Sequence, residues 1–161
     1  MQIRKYTDAD WSSVWPIFRE VVTAGETFAY DPGWSSEQAR DVWVETPPGH
    51  TVVAHDGARV LGTAHMGPNR PGPGSHVSTA SFMVASAARG EGVGRALGEY
   101  ALFWAREQGY DAMQFNAVVE SNDAAVRLWL ALGFRILGTV PEAFEHPMRG
   151  RVGLHVMHRY L

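Results

Sequence analysis

The segment Arg89-Gly90-Glu91-Gly92-Val93-Gly94-Arg95-Ala96-Leu97 constrains this chain more than any other. Ser81-Phe82-Met83-Val84 ahead of it reads as the end of a strand, and an amphipathic stretch beginning at Val93 reads as a helix. Three alternating glycines at a strand-to-helix turn let the backbone come close to a ligand and aim N–H groups at it. A helix N-terminus carries unpaired donors and the positive end of the helix dipole, so the natural guest is a phosphate or pyrophosphate. Arg89 and Arg95 bracket the turn with positive charge.

Composition narrows the class. With 161 residues and an apolar fraction of 45%, the chain is expected to form one domain, residues 1–161, with a core that needs no staples. There are no cysteines, so disulfides, a thiolate nucleophile and thiolate metal sites are excluded, and the seven histidines show no ligand spacing. A formal charge of −3 gives no basic footprint for nucleic acid. No apolar run reaches membrane-spanning length, and Met1 to Tyr6 lacks a secretory apolar core, which predicts a cytoplasmic protein.

Along the chain, Ile3 to Tyr6 reads as a strand, and Thr7 with Asp10 as a capping box opening a helix to about Val22. Gly25 to Gly33 is a loop. Ser35 or Ser36 caps a second helix that stops before Pro47-Pro48. Thr51–Ala54 and Val60–Met66 are strands joined at Asp56-Gly57, and Gly67 to Gly74 is a loop. Val77–Ala85 is the strand entering the glycine turn. The helix after the turn carries Val93, Leu97, Tyr100, Ala101 and Trp104 at helical spacing and ends at Gly109. Met113–Val119 is a strand, Ser121 or Asn122 caps a helix that closes at Gly133, and Phe134–Val140 and Val152–Tyr160 finish as strands. This order predicts an α/β fold, a mixed sheet covered by helices on both faces.

Two motifs then resemble the GCN5-related N-acetyltransferase (GNAT) superfamily, over nearly the whole chain. Its pyrophosphate signature, Gln/Arg-x-x-Gly-x-Gly/Ala, matches Arg89-Gly90-Glu91-Gly92-Val93-Gly94. A second block, Asn-x-x-Ala-x-x-Leu-Tyr-x-x-x-Gly-Phe, matches Asn122, Ala125, Leu128, Gly133 and Phe134, with Trp129 at the tyrosine position. The resemblance implies the acyl-CoA N-acyltransferase fold with splayed central parallel strands, those ending near Val84 and Val118. It also implies acetyl-CoA as cofactor, with its pyrophosphate on residues 89–95 and its pantetheine amides on the backbone of Met83 and Val84. Asn122 matches a residue near the pantetheine, and Trp129 lies beside it. The closing strand, Val152–Tyr160, is placed to pair with a second copy, giving a homodimer.

A narrower resemblance is to acetyltransferases of azetidine-2-carboxylate and other proline analogues. It is carried by Asn69-x-Pro71-Gly72-x-Gly74-Ser75-His76-Val77, Phe115-Asn116-Ala117-Val118 and Leu128-Trp129. That branch has an acceptor-binding Asn where this chain has Thr79. Glu26-Thr27-Phe28 is similar to the acceptor-facing loop of phosphinothricin-type acetyltransferases, which carry a Glu on the strand before the glycine turn; this chain has Ser78, Thr79 and Ser81 there. The resemblance therefore implies a small amine or amino-acid-like acceptor near Thr27, Phe28, Thr79 and His76.

Direct acetyl transfer needs a neutral amine, a polarised thioester carbonyl and a departing thiolate. An alkylamine with a pKa near 10.4 costs roughly 4–5 kcal/mol to deprotonate at pH 7, and a thiol far less. A base thus matters more than an acid, which makes Trp129 tolerable in place of Tyr. Asn116, an amide inside a strand, is a candidate to stabilise the oxyanion. Glu26, Glu120, His65 and His76 are the candidate bases, Glu26 foremost. Two other readings stay open: an acyl-CoA-binding regulatory module without turnover, and a dinucleotide-binding enzyme. The last is disfavoured because the third glycine of Gly-x-Gly-x-x-Gly is replaced by Arg95, although Glu120 follows the next strand as a ribose ligand would.

Overall fold

A computed structural model describes residues 1–161. Seven strands, β1 (Gln2–Lys5), β2 (His50–His55), β3 (Val60–Pro68), β4 (Val77–Val84), β5 (Ala112–Val119), β6 (Arg135–His146) and β7 (Gly150–Tyr160), form one sheet in the order β1-β2-β3-β4-β5-β7-β6. Every neighbouring pair is antiparallel except β4–β5. Helices α1 (Trp11–Ala24) and α2 (Ser36–Trp43) cover one face, and α3 (Val93–Glu107) and α4 (Asp123–Ala131) the other.

Strand alternation sorts the side chains between these layers. Ala64, Met66, Ala80, Phe82, Met113 and Phe115 face α3 and α4, where Leu97, Ala101 and Trp129 meet them. Val53 and Met83 face α1 and α2 with Val14, Phe18 and Trp43. The two helices on the far layer approach closely because Gly98 has no side chain. A Cβ there would lie 2.8 Å from Leu132 Cδ1 and 2.9 Å from Trp129 Cζ3.

The expected helix starts are present, and Ser35 is the cap of α2: its Oγ accepts from Gln38 N–H at 3.2 Å, and Gln38 Oε1 accepts from Ser35 N–H at 2.9 Å. α1 runs to Ala24, and Gly25 ends it with φ 66°. The Thr7–Asp10 box first forms a short 3-10 turn at 8–10, with Asp10 accepting from the Thr7 N–H and hydroxyl at 2.7 and 2.9 Å.

Two expectations need correction. β6 extends to His146 rather than Val140, because the interruption at Pro141–Ala143, with Glu142 at φ 52°, is a bulge and pairing resumes at Phe144↔Val152. The closing strand, β7, lies between β5 and β6 and so has no free edge for a second copy; the free edge on that side is β6.

Two outcomes test the packing. Gly98→Val should cost about 1–3 kcal/mol by overpacking, read as a lower melting temperature in a calorimetric scan. Asp10 also pairs bidentately with Arg4 at 2.7 and 2.8 Å, and the guanidinium holds its carboxyl down at about 2. A depressed carboxylate stabilises the fold above its unfolded pKa and stops doing so as pH falls through the folded one. Between about pH 4 and pH 2, Asp10→Asn should therefore lose less stability than the parent. The difference should be about 1–2 kcal/mol, discounted for the half-exposed Arg4, in urea titrations at each pH.

Candidate active site: a wedge between two parallel strands

β4 and β5 pair only at Val77↔Ala112 and Ser78↔Met113. The buried Ser78 hydroxyl closes this end by donating to the Ala112 carbonyl at 3.0 Å. Beyond it the strands part. Continued register would set Ser81 beside Asn116 and Met83 beside Val118, yet neither pair is hydrogen-bonded. β5 instead follows β7 through a bulge at Asn116–Ala117, between Phe115↔Met157 and Val118↔His155. The β5-facing edge of β4 from Thr79 onward thus offers unpaired backbone groups to a guest, as an edge strand would.

At the open end of β4 comes the glycine turn. Gly90 and Gly92 take φ 84° and 80°, and a Cβ on either would meet nothing within 4 Å. Gly94 sits inside the first turn of α3, where a Cβ would make ordinary contacts of 3.5 Å with Leu128 and 3.9 Å with Val84. The first intrahelical bond is Ala96 N–H to the Gly92 carbonyl, and Glu91 N–H is taken by the Ala88 carbonyl. The N–H groups of Gly90, Gly92, Val93, Gly94 and Arg95 have no protein acceptor. Donors without partners, an open approach and a helix N-terminus together fit a pyrophosphate. Arg89 is exposed, and Arg95 reaches only Glu99, at 3.5 Å on the surface, so both guanidiniums are available.

Met83 puts its side chain into the core under α1 and α2, so only its backbone, like that of Val84, faces the wedge. Asn122 caps α4 through Oδ1, which accepts from Ala125 N–H at 3.3 Å; its amide nitrogen makes no protein hydrogen bond. Cap and ligand contact are thus compatible roles. Trp129 is 6% exposed, wedged among Phe82, Phe115 and Phe134 with centroids 4.7, 4.8 and 6.1 Å away. Its bulk supports the floor of the wedge.

The other face of the wedge carries the expected acceptor residues. Thr79, Ser81 and Met83 point toward α1 and α2 by strand alternation. Asn116 donates one amide hydrogen to Asn69 Oδ1 at 2.6 Å and accepts from Gln114 Nε2 at 2.9 Å, a chain of three amides. Phe28 stacks on Tyr30 at 5.4 Å and meets Trp43 edge-on at 5.9 Å, so the 25–33 loop roofs this side. Glu26 and Thr27 precede it at the rim, Glu26 exposed. Tyr30 is half-buried near Glu45, and both push its phenol pKa up. The β6–β7 turn reaches the same rim: Pro147 lies 3.9 Å from where a Cβ on Gly25 would be.

Two candidates fall outside this grouping. His76 is exposed at the closed end, before the paired Val77. Glu120 is occupied by β7, its Oε1 accepting from Gly153 N–H, so it is not a free ribose ligand or base. The dinucleotide reading fails on the sheet as well, because a doubly wound fold requires several parallel pairs and only β4–β5 is parallel. Sequence reasoning overlooked Glu45, whose Oε1 lies 2.8 Å from His65 Nδ1; no spacing signal links residues 20 apart across a helix end and a strand.

The geometry agrees with the comparisons. The acetyltransferase (GNAT) family model matches residues 11–134. The chain belongs to that family. It is similar to a GCN5-related N-acetyltransferase from Kribbella flavida, with 60% identity over 99% of this chain and 97% of that one and a TM-score of 0.97. The fold is also that of a phosphinothricin acetyltransferase from Sinorhizobium meliloti, solved in complex with acetyl-CoA, at 22% identity over 99% and 88% of the two chains with a TM-score of 0.88. N-acetyltransferase aca1 of Schizosaccharomyces pombe is 34% identical over 84 residues, 52% of this chain but only 40% of the yeast protein.

The two glycine positions should separate on substitution. Gly92→Ala forces a side chain into left-handed backbone at a cost of about 1–2 kcal/mol and sets a methyl before the free donors. Gly94→Ala enters a helix with room. Calorimetry with CoA should show roughly tenfold weaker binding for Gly92→Ala, about 1.4 kcal/mol, and near-parental binding for Gly94→Ala.

Proposed function

We propose that this chain transfers the acetyl group of acetyl-CoA directly to a primary or secondary amine of a small, amino-acid-like acceptor. The observation that carries the reading is the abrupt end of β4–β5 pairing after Ser78 and Met113, beside five unpartnered N–H groups at residues 90–95. A pyrophosphate on those donors puts the attached chain at the mouth of the wedge, where the free edge of β4 matches two secondary amides. The Asn122 amide nitrogen and the backbone of Met83 and Val84 serve that arm.

The small acceptor is supported by the roof. Phe28, Tyr30 and Trp43 close one side of the wedge, and the Pro147 turn closes the rim. Apolar walls with a few polar groups are what a small-molecule site needs. In this reading Asn116, with one amide hydrogen still free, and Thr79 address the acceptor's polar end, and Glu26 with Thr27 receives its ammonium at the rim. A homodimer would form through β6, whose free edge exposes Ile136, Leu137 and Val140. A cytoplasmic setting follows from the need for acetyl-CoA; no helix is long and apolar enough to cross a membrane.

Thermal stabilisation tests the cofactor first. Acetyl-CoA at 100 times its Kd should add about 2.7 kcal/mol to the folded state, whereas NAD+ should add nothing. Gly92→Glu, folded but carrying an acidic side chain in the cradle, should lose the effect. Release of CoA thiol should then identify the acceptor among L-amino acids, azetidine-2-carboxylate and phosphinothricin. Stabilisation by NAD+ alone, or no thiol release with any of these amines, would reject the proposal.

A further inference from the structure

We infer that His65, held by Glu45, is the base that takes the proton from the attacking amine. This rests on the acetyl-transfer reading above and assigns a residue to its proton-transfer step.

His65 stands on β3 directly across from Ser81 of β4, one strand from the wedge and on its acceptor face. Its neighbours Ala64 and Met66 point to the opposite core. Glu45 Oε1 lies 2.8 Å from Nδ1. A carboxylate only accepts, so Nδ1 carries a hydrogen, and in the neutral ring Nε2 is then the nitrogen with the lone pair. The dyad is seated firmly. Glu45 N–H donates to Thr51 Oγ1 at 2.9 Å, and Trp43 meets the imidazole edge-on at 4.6 Å while its indole N–H donates to Thr63 at 3.0 Å.

Nε2 is the odd atom. It is buried and has no hydrogen-bond partner in the protein, on a side chain 13% exposed. Buried polar atoms are nearly always paired, so an unpaired one asks for a guest. Glu45 hangs from β2 through Thr51, and the two ring nitrogens lie on different edges of the imidazole. With Nδ1 committed to Glu45, Nε2 is the one ring nitrogen left for a guest on this face of the sheet. Across the sheet His65 pairs with Thr51 of β2 and Ser81 of β4, neither of which titrates, and Tyr30 lies near Glu45, where burial and that charge drive its phenol up. β4 supplies no carboxylate, Glu120 is bound to β7 and His76 lies at the closed end.

In the step so assigned, the amine nitrogen bonds to the thioester carbonyl carbon and its proton passes to Nε2. The carbon–sulfur bond then breaks with its electron pair on sulfur. The thiolate takes a proton from solvent, and the imidazolium returns its own to solvent. Glu45 acts as a positioning residue, fixing the tautomer and stabilising the transient cation.

The test needs three variants of the full chain. His65→Gln should bind acetyl-CoA within twofold of the parent by calorimetry. It should lower kcat/KM for the acceptor found above by about 10²–10⁴-fold, the usual worth of a positioned base. The enzyme's own part of the acid-side fall in kcat/KM, beyond that set by protonation of the acceptor amine, should vanish with it. Glu45→Gln should move that acid limb, and Glu107→Gln, exposed at the end of α3 on the other layer, should leave it in place. Independently of any acceptor, ring nitrogen NMR of the parent should find His65 protonated at Nδ1 and bare at Nε2, with the preference lost in Glu45→Gln. Turnover by His65→Gln within threefold of the parent with the same acid limb, or an Nε2–H tautomer, would overturn the assignment. No turnover by the parent with any amine would overturn the acetyl-transfer reading itself, and this inference with it.

Discussion

Everything distinctive in this molecule follows from two hydrogen-bonded residue pairs that are present and several that are missing. Val77↔Ala112 and Ser78↔Met113 tie the only parallel strands together, and then the ladder stops. A sheet does not open at its middle without support, because unpaired backbone groups there cost free energy. Here the opening is held from below by rings: Phe82 from one strand and Phe115 from the other meet at 5.8 Å, with Trp129 against both. It is held from the side by the bulge at Asn116–Ala117, which commits β5 to β7. The wedge is thus built into the core packing and is in place before any ligand arrives.

Trp129 gains its meaning from that floor. The family motif puts a tyrosine at this position, and the loss of a hydroxyl looks like the loss of a proton donor. In the fold the larger ring fills the space left by Gly98 on the neighbouring helix. Because a thiolate leaves readily without a proton, the chemistry asks more of a base than of an acid at this point, and packing could claim the position.

The sequence was most readable where local chemistry decides structure. The capping boxes at Thr7 and Ser35, the Asp56-Gly57 turn and the glycines at 90 and 92 act over a few residues, and each lies where expected. Helical periodicity likewise located α3 and α4. Whatever depended on distant partners was not legible. β6 reaches past Pro141 because β7 is there to receive it after a bulge. β7 sits inside the sheet although, as the last segment, it read as a free edge. His65 stood among four candidate bases with no partner in view, because Glu45 comes from the far end of another element.

Pro147 lies close by Gly25, 3.9 Å from where a Cβ there would stand, and so brings the turn of the outermost hairpin beside the loop that roofs the acceptor side. One end of that roof continues from α1, and the other leads into the aromatic cluster at Phe28 and Tyr30. The roof is therefore a beam with three bearings, and the third belongs to the strand pair at the sheet's free margin. Any molecule that lifts the roof to enter must also work against that hairpin. Anything that clamps β6 along its margin would stiffen the doorway from about one sheet-width away, so the traffic of acceptors and the fate of that margin are mechanically one problem.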